Sequence, residues 1–98
     1  MVVVTGPMIE HEDAAGRGQF FLRRDGERFG TLDYTLTDGV MRIEYVEIVP
    51  QARGSGLGRT LVEAAVNWAR DTNRKVVPIC SYAGMVLRTD STMHDVLE

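Results

Sequence analysis

Six residues, Arg53-Gly54-Ser55-Gly56-Leu57-Gly58, separate a strand-like run ending at Pro50 from a stretch with helical periodicity. Three glycines at alternate positions leave the main-chain N–H groups uncovered, with no Cβ to block close approach. A helix that starts there adds the unpaired N–H groups of its first turn and the positive end of its dipole. Such a turn can hold a diphosphate by main-chain hydrogen bonds alone. Any fold of this chain must bring one strand end, one bare turn and one helix start together. A phosphorylated cofactor is the expected occupant, since a plain strand-to-helix turn needs neither the third glycine nor the flanking Arg53 and Arg59.

The rest of the chain fits around that turn. Thr5-Gly6-Pro7 interrupts an opening apolar run, and Glu10 to Gly18 is polar. Residues 1–17 therefore read as a flexible or weakly paired arm ahead of one domain over 18–98. Gln19 to Arg23 reads as a strand, and Asp25-Gly26 is a strong hairpin dipeptide. From Arg28 to Leu36 the residues alternate, with Gly30, Leu32, Tyr34 and Leu36 on one face. Asp38-Gly39 signals a second hairpin, and Val40 to Val49 a third strand that Pro50 ends.

Leu57, Leu61, Val62, Ala65, Trp68 and Ala69 fall at helical spacing, with a helix end near Asp71 and Asn73 as its stop. Lys75 to Cys80 is a short apolar strand whose Pro78 implies an edge or a break in pairing. Ser81 is placed to cap a helix reaching about Arg88. Asp90 to Leu97 reads as a last helical turn with Met93, Val96 and Leu97 inward. The order β-β-β-α-β-α gives an α+β fold: an antiparallel three-strand meander, a helix, a fourth strand and a C-terminal helix.

Composition narrows the function. The 98 residues carry a net charge of −3, so there is no basic footprint and nucleic acid is not an expected partner. That charge mildly favours a cationic acceptor such as an amine. The one cysteine, Cys80, excludes an intrachain disulfide. No run approaches a membrane span, and the expected location is cytoplasmic with no membrane partner. His11 and His94 lie in polar stretches without acids or cysteine at ligand spacing, so no metal is expected.

Among phosphate-binding turns, a Walker loop requires lysine after its last glycine, where Arg59 stands. A dinucleotide fingerprint begun at Gly54 or Gly56 requires glycine where Arg59 or Leu61 stands. What remains is R-x-x-G-x-G, met by Arg53, Gly56 and Gly58. This resembles the acetyl-CoA signature of the GNAT N-acetyltransferase superfamily. The similarity covers about residues 18–98. It takes in Phe20 to Leu22, Leu32-Asp33-Tyr34, the P-x-C-S-Y run from Pro78 to Tyr82, and Asp95-Val96-Leu97. These resemble the very small single-domain GNAT-like family, a reduced GNAT fold without the N-terminal helices and the last two strands.

The resemblance implies acetyl-CoA as co-substrate and an amine acceptor, either a small molecule or a protein lysine. It would put the coenzyme's pyrophosphate on Arg53, Gly54, Ser55, Gly56, Leu57, Gly58 and Arg59, and its pantetheine arm along Ile48 and Val49. Acetyl transfer needs a neutral amine, a stabilised oxyanion and a proton for the leaving thiolate. The tyrosine that larger members use as proton donor would fall near Leu87, which cannot donate. The small family points instead to Cys80, ahead of a helix start that favours a thiolate. Cys80 could act as nucleophile or lie beside the thioester, or it could be a small buried hydrophobe.

The small family commonly has histidine then threonine on the third strand. Tyr45-Val46 stands there, so its usual proton acceptor is missing. Glu47 shares a face with Tyr45 and could deprotonate the amine directly or through water. An exposed strand glutamate and a packing tyrosine are the plainer accounts of those two residues. Tyr82 and Trp68 read as core aromatics. Two other functions stay open: a CoA or acyl-CoA binding module with little or no turnover, favoured by Tyr45, Leu87 and the small size of the fold, and a structural or partner-binding domain whose loop is empty in the cell.

Overall fold

The computed structural model describes residues 2–4 and 9–98. The Thr5-Gly6-Pro7 break lies outside the described residues. One sheet carries six strands in sequence order: β1 (Val2–Val4), β2 (Ile9–Ala14), β3 (Arg17–Arg24), β4 (Glu27–Thr37), β5 (Val40–Ile48) and β6 (Lys75–Pro78). Neighbours from β1 to β5 are antiparallel, and β6 joins β5 in parallel. Helix α1 (Leu57–Asp71) makes the crossover between β5 and β6, and α2 (Ser81–Thr89) follows β6. The α+β class stands, with the expected meander extended by strands ahead of it.

Both Asp-Gly turns form as the dipeptides predict. Asp25 and Gly26 have φ of 52° and 82°, and Asp38 and Gly39 have 53° and 76°. Positive φ at both central positions matches the right-handed twist of the flanking strands. Asn73, with φ of 57°, stops α1 in the left-handed conformation.

The polar arm is a correction. Residues 9–14 pair with β3 along their whole length, from Ile9↔Leu22 to Ala14↔Arg17. Ile9 and His11 alternate into the core while Glu12 stays exposed, a pattern that composition alone conceals. His11 is 5% exposed, stacks on Phe20 at 3.9 Å and lies 2.6 Å from the Tyr34 hydroxyl. That hydroxyl also meets Asp13 at 3.2 Å. Burial holds the His11 imidazole below its ordinary pKa, partly offset by Asp13.

Helix α1 lays Leu61, Val62, Ala65, Val66 and Ala69 against the face formed by Phe20, Leu22, Leu32, Met41 and Ile43. Trp68 meets His11 edge-on at 4.8 Å. The opposite sheet face carries three ion pairs, Arg23–Glu10, Arg28–Glu12 and Arg42–Glu44. On it Phe21 is fully buried beneath Arg28, whose guanidinium is 3.7 Å from the ring centroid. Ser81 does not cap α2: Cys80 holds the N-cap position, with no side-chain cap bond, and Ser81 is the first helical residue. The tail closes with a 3-10 turn at Ser91–Met93 and a parallel bridge from Val76 to Leu97.

Candidate active site

Strand β5 changes its surroundings at Ile43. Up to that residue it is paired on both sides, and Ile43 itself lies opposite Tyr34 and Pro78. Beyond it β6 stops, Pro78 being its last residue with a partner on β5. The N–H groups of Ile79 and Cys80 both turn onto the Ile43 carbonyl at 3.0 Å, and the chain enters α2. Residues 45–48 of β5 are thus paired to β4 alone.

The same stretch contains a β-bulge, since Ile43 faces Tyr34 and Tyr45 faces Asp33, with Glu44 extra. The bulge keeps Val46 and Ile48 on the core side while Tyr45 and Glu47 stay exposed. Tyr45 is 48% exposed, and the hydrogen-bonded Glu47 carboxylate beside it raises its pKa. The shared face expected of Tyr45 and Glu47 is therefore the face they occupy.

From Ile48 the chain passes through a 3-10 turn (Pro50–Ala52) into the glycine loop. Gly54 and Gly56 have φ of 84° and 80°, and a Cβ on either would meet nothing within 4 Å. Backbone handedness, not internal crowding, requires these two glycines. Ser55 Oγ donates to the Ala52 carbonyl at 2.8 Å, and Thr60 closes the helix start onto the Gly56 carbonyl at 3.1 Å. Arg53 Nε donates to the Ile48 carbonyl at 2.9 Å, tying the loop to the free stretch of β5.

A cleft of about 520 Å³ lies between that stretch and the loop. Tyr45, Glu47, Ile48, Arg53, Gly54, Gly56, Leu57 and Gly58 line it, joined by Val46, Ala52 and Tyr82. Eight of the residues singled out from sequence thus meet in one place. Val49 and Ser55 instead face a neighbouring hollow with Phe29 and Gln51. Arg59 is held by Asp90 and by Glu63, the latter at 3.6 Å. Hydrogen bonds from Thr92, with Arg59 beside it, keep the Asp90 carboxyl below its ordinary pKa. Cys80 is half-buried against the core and is not among the lining residues. Tyr82, read from sequence as core, does pack against the core and is also a wall of the cleft; its place one residue after the start of α2 was the available signal for the second role. Among the described residues no group of three or more His, Cys, Asp or Glu could hold a metal ion, and no helix is long and apolar enough to cross a membrane.

Comparison with known proteins bears on this arrangement. No curated protein matches the chain. Among solved structures, a GCN5-like candidate N-acetyltransferase of Staphylococcus aureus superposes with a TM-score of 0.72 at 22% identity, over 95% of this chain and 91% of its own. A candidate acyl-CoA N-acyltransferase of Klebsiella pneumoniae gives 0.63 at 26% identity, over 80% of this chain and 58% of its own. A candidate GNAT-family acetyltransferase of S. aureus gives 0.59 at 19% identity, over 65% of this chain and 56% of its own. The chain thus spans a little over half the length of the last two. The family described as GCN5-related N-acetyl-transferase matches residues 19–96. The chain belongs to that family of acyltransferases.

Proposed function

We propose that this chain is an N-acetyltransferase domain that binds acetyl-CoA in the cleft and passes the acetyl group to an amine. One observation carries the reading: the stretch of β5 beyond Ile43, paired to β4 on one edge and open on the other, leads directly onto the bare amides at the start of α1. An extended amide-bearing arm pairs with a free strand edge, and a diphosphate suits a helix N-terminus reached through glycine. Ile48 is the better placed of the two expected arm contacts, because the Val49 N–H already bonds the Phe29 carbonyl. Arg53 uses Nε on Ile48, which leaves its two terminal nitrogens for a phosphate. Arg59 is a weaker candidate, being committed to Asp90 and Glu63.

In the transfer, the amine nitrogen bonds to the thioester carbonyl carbon and the C–S bond breaks. Glu47 accepts the proton that the nitrogen sheds, directly or through water, and the departing thiolate takes one up. The Tyr45 hydroxyl, kept protonated beside Glu47, orients that carboxylate. Cys80 at the N-cap of α2 is the candidate for the sulfur end of the site, as proton donor or as nucleophile through an acetyl-cysteine. Turnover of acetyl-CoA against a panel of amines tests the reading, with Glu47→Gln and Cys80→Ala compared to the parent. Full turnover in both variants would refute the assigned chemistry, and mass spectrometry decides whether Cys80 carries acetyl.

A second reading, a CoA or acyl-CoA binding module, is favoured by Leu87. It is fully buried, and the resemblance puts the proton donor of larger members near that position. Heat of coenzyme binding without turnover of any amine would select it.

A further inference from the structure

The third glycine of the loop differs from the other two. Gly58 has ordinary helical backbone, and its φ is not positive. A Cβ there would meet the Tyr82 ring, with Cε2 and the hydroxyl oxygen at 2.9 Å and Cζ at 3.0 Å. The hydroxyl end of Tyr82, from the first turn of α2, therefore rests on the first turn of α1. Among the described residues that hydroxyl has no hydrogen-bond partner. It lines the same cleft as the loop. The amides of Leu57, Gly58 and Arg59 precede the first bond of the helix, which Thr60 makes to Gly56.

From this we infer that Tyr82 is a coenzyme-binding residue: its hydroxyl donates to the diphosphate beside the free amides of α1, and position 58 is glycine to seat its ring. The inference rests on the coenzyme reading above. It differs in assigning Gly58 to packing of a side chain, where bare loop glycines are ordinarily credited to close approach of the phosphate itself. An O–H donor to a phosphate oxygen is a charge-assisted hydrogen bond, among the stronger kinds.

Calorimetry of the whole chain with free CoA, and with 3′-phosphoadenosine 5′-diphosphate as a probe lacking the pantetheine arm, tests this. The proteins are the parent, Tyr82→Phe, Tyr82→Ala, Gly58→Ala and the Gly58→Ala/Tyr82→Ala pair. Tyr82→Phe keeps the ring, and so the packing, and should weaken both probes by about tenfold. Gly58→Ala displaces the ring and should weaken CoA by at least as much. In the pair the two losses should not add, leaving affinity within about threefold of Tyr82→Ala alone. Parent-like binding by Tyr82→Phe would overturn the hydroxyl contact, and additive losses in the pair would overturn the account of Gly58. A loss with CoA but none with the armless probe would also overturn it, because the hydroxyl would then be reading the arm. If the parent binds neither probe, it is the coenzyme reading that fails.

Discussion

The two halves of β5 share a strand and differ in almost everything else. From Val40 to Ile43 both edges are paired, and Met41 and Ile43 are fully buried. From Tyr45 to Ile48 one edge is open, every residue is at least partly exposed, and the cleft runs alongside. A paired edge spends its main-chain groups on the sheet, whereas an open edge keeps them for a ligand. Under the proposed reading, the fold needs no separate binding element. It extends a core strand past the point where its neighbour stops.

That contrast can be broken in several ways. Ile43→Ala should cost about 2–5 kcal/mol of stability, read from the urea midpoint, because it opens a cavity in the two-sided half. Val46→Ala, on the half-exposed stretch, should cost clearly less; equal costs would erase the distinction. Next in size come the glycines that bracket the strand. Gly39→Ala and Gly56→Ala both force a Cβ into left-handed backbone, φ of 76° and 80°, and each should lose about 1–2 kcal/mol. Only Gly56→Ala should also weaken binding of CoA. Hydrogen exchange offers a finer test: added CoA should slow the amides of Val46 and Ile48, which face the open edge, and leave those of 40–43 unchanged.

The smallest effect concerns acid and should stay on the covered side of the sheet. His11 titrates below its ordinary value in the folded chain, so the unfolded chain binds the proton more tightly. Stability should be level above about pH 6.5 and fall as the pH drops from there towards the folded-state value. Replacing His11 with glutamine should flatten that part of the melting-temperature profile. A profile unchanged by the substitution would mean that His11 is not the group responsible.

Much of this was legible before any coordinates. The two Asp-Gly hairpins, the helical spacing from Leu57 to Ala69 and the glycine turn are local signals, and local signals survive in a single sequence. Strand β2 was not legible, because only Ile9 and His11 point inward and charges stand between and after them. Pairing with Phe20 and Leu22 makes it a strand, and that partner lies elsewhere in the chain. For the same reason the sequence could align Tyr45 with Glu47 yet could not show Tyr82 reaching Gly58, a contact across 24 positions made only when both helices are packed.

The extra residue at Glu44 acts as a phase shifter. Were Ile43 to Ile48 paired in strict alternation, Tyr45 and Glu47 would turn into the core and Val46 and Ile48 out to water. Deleting Glu44 would leave Tyr45 following Ile43 directly, with every later side chain still facing its proper layer. A one-residue loss in the middle of a central strand is ordinarily ruinous. Here the sheet has a slot in which it can be absorbed.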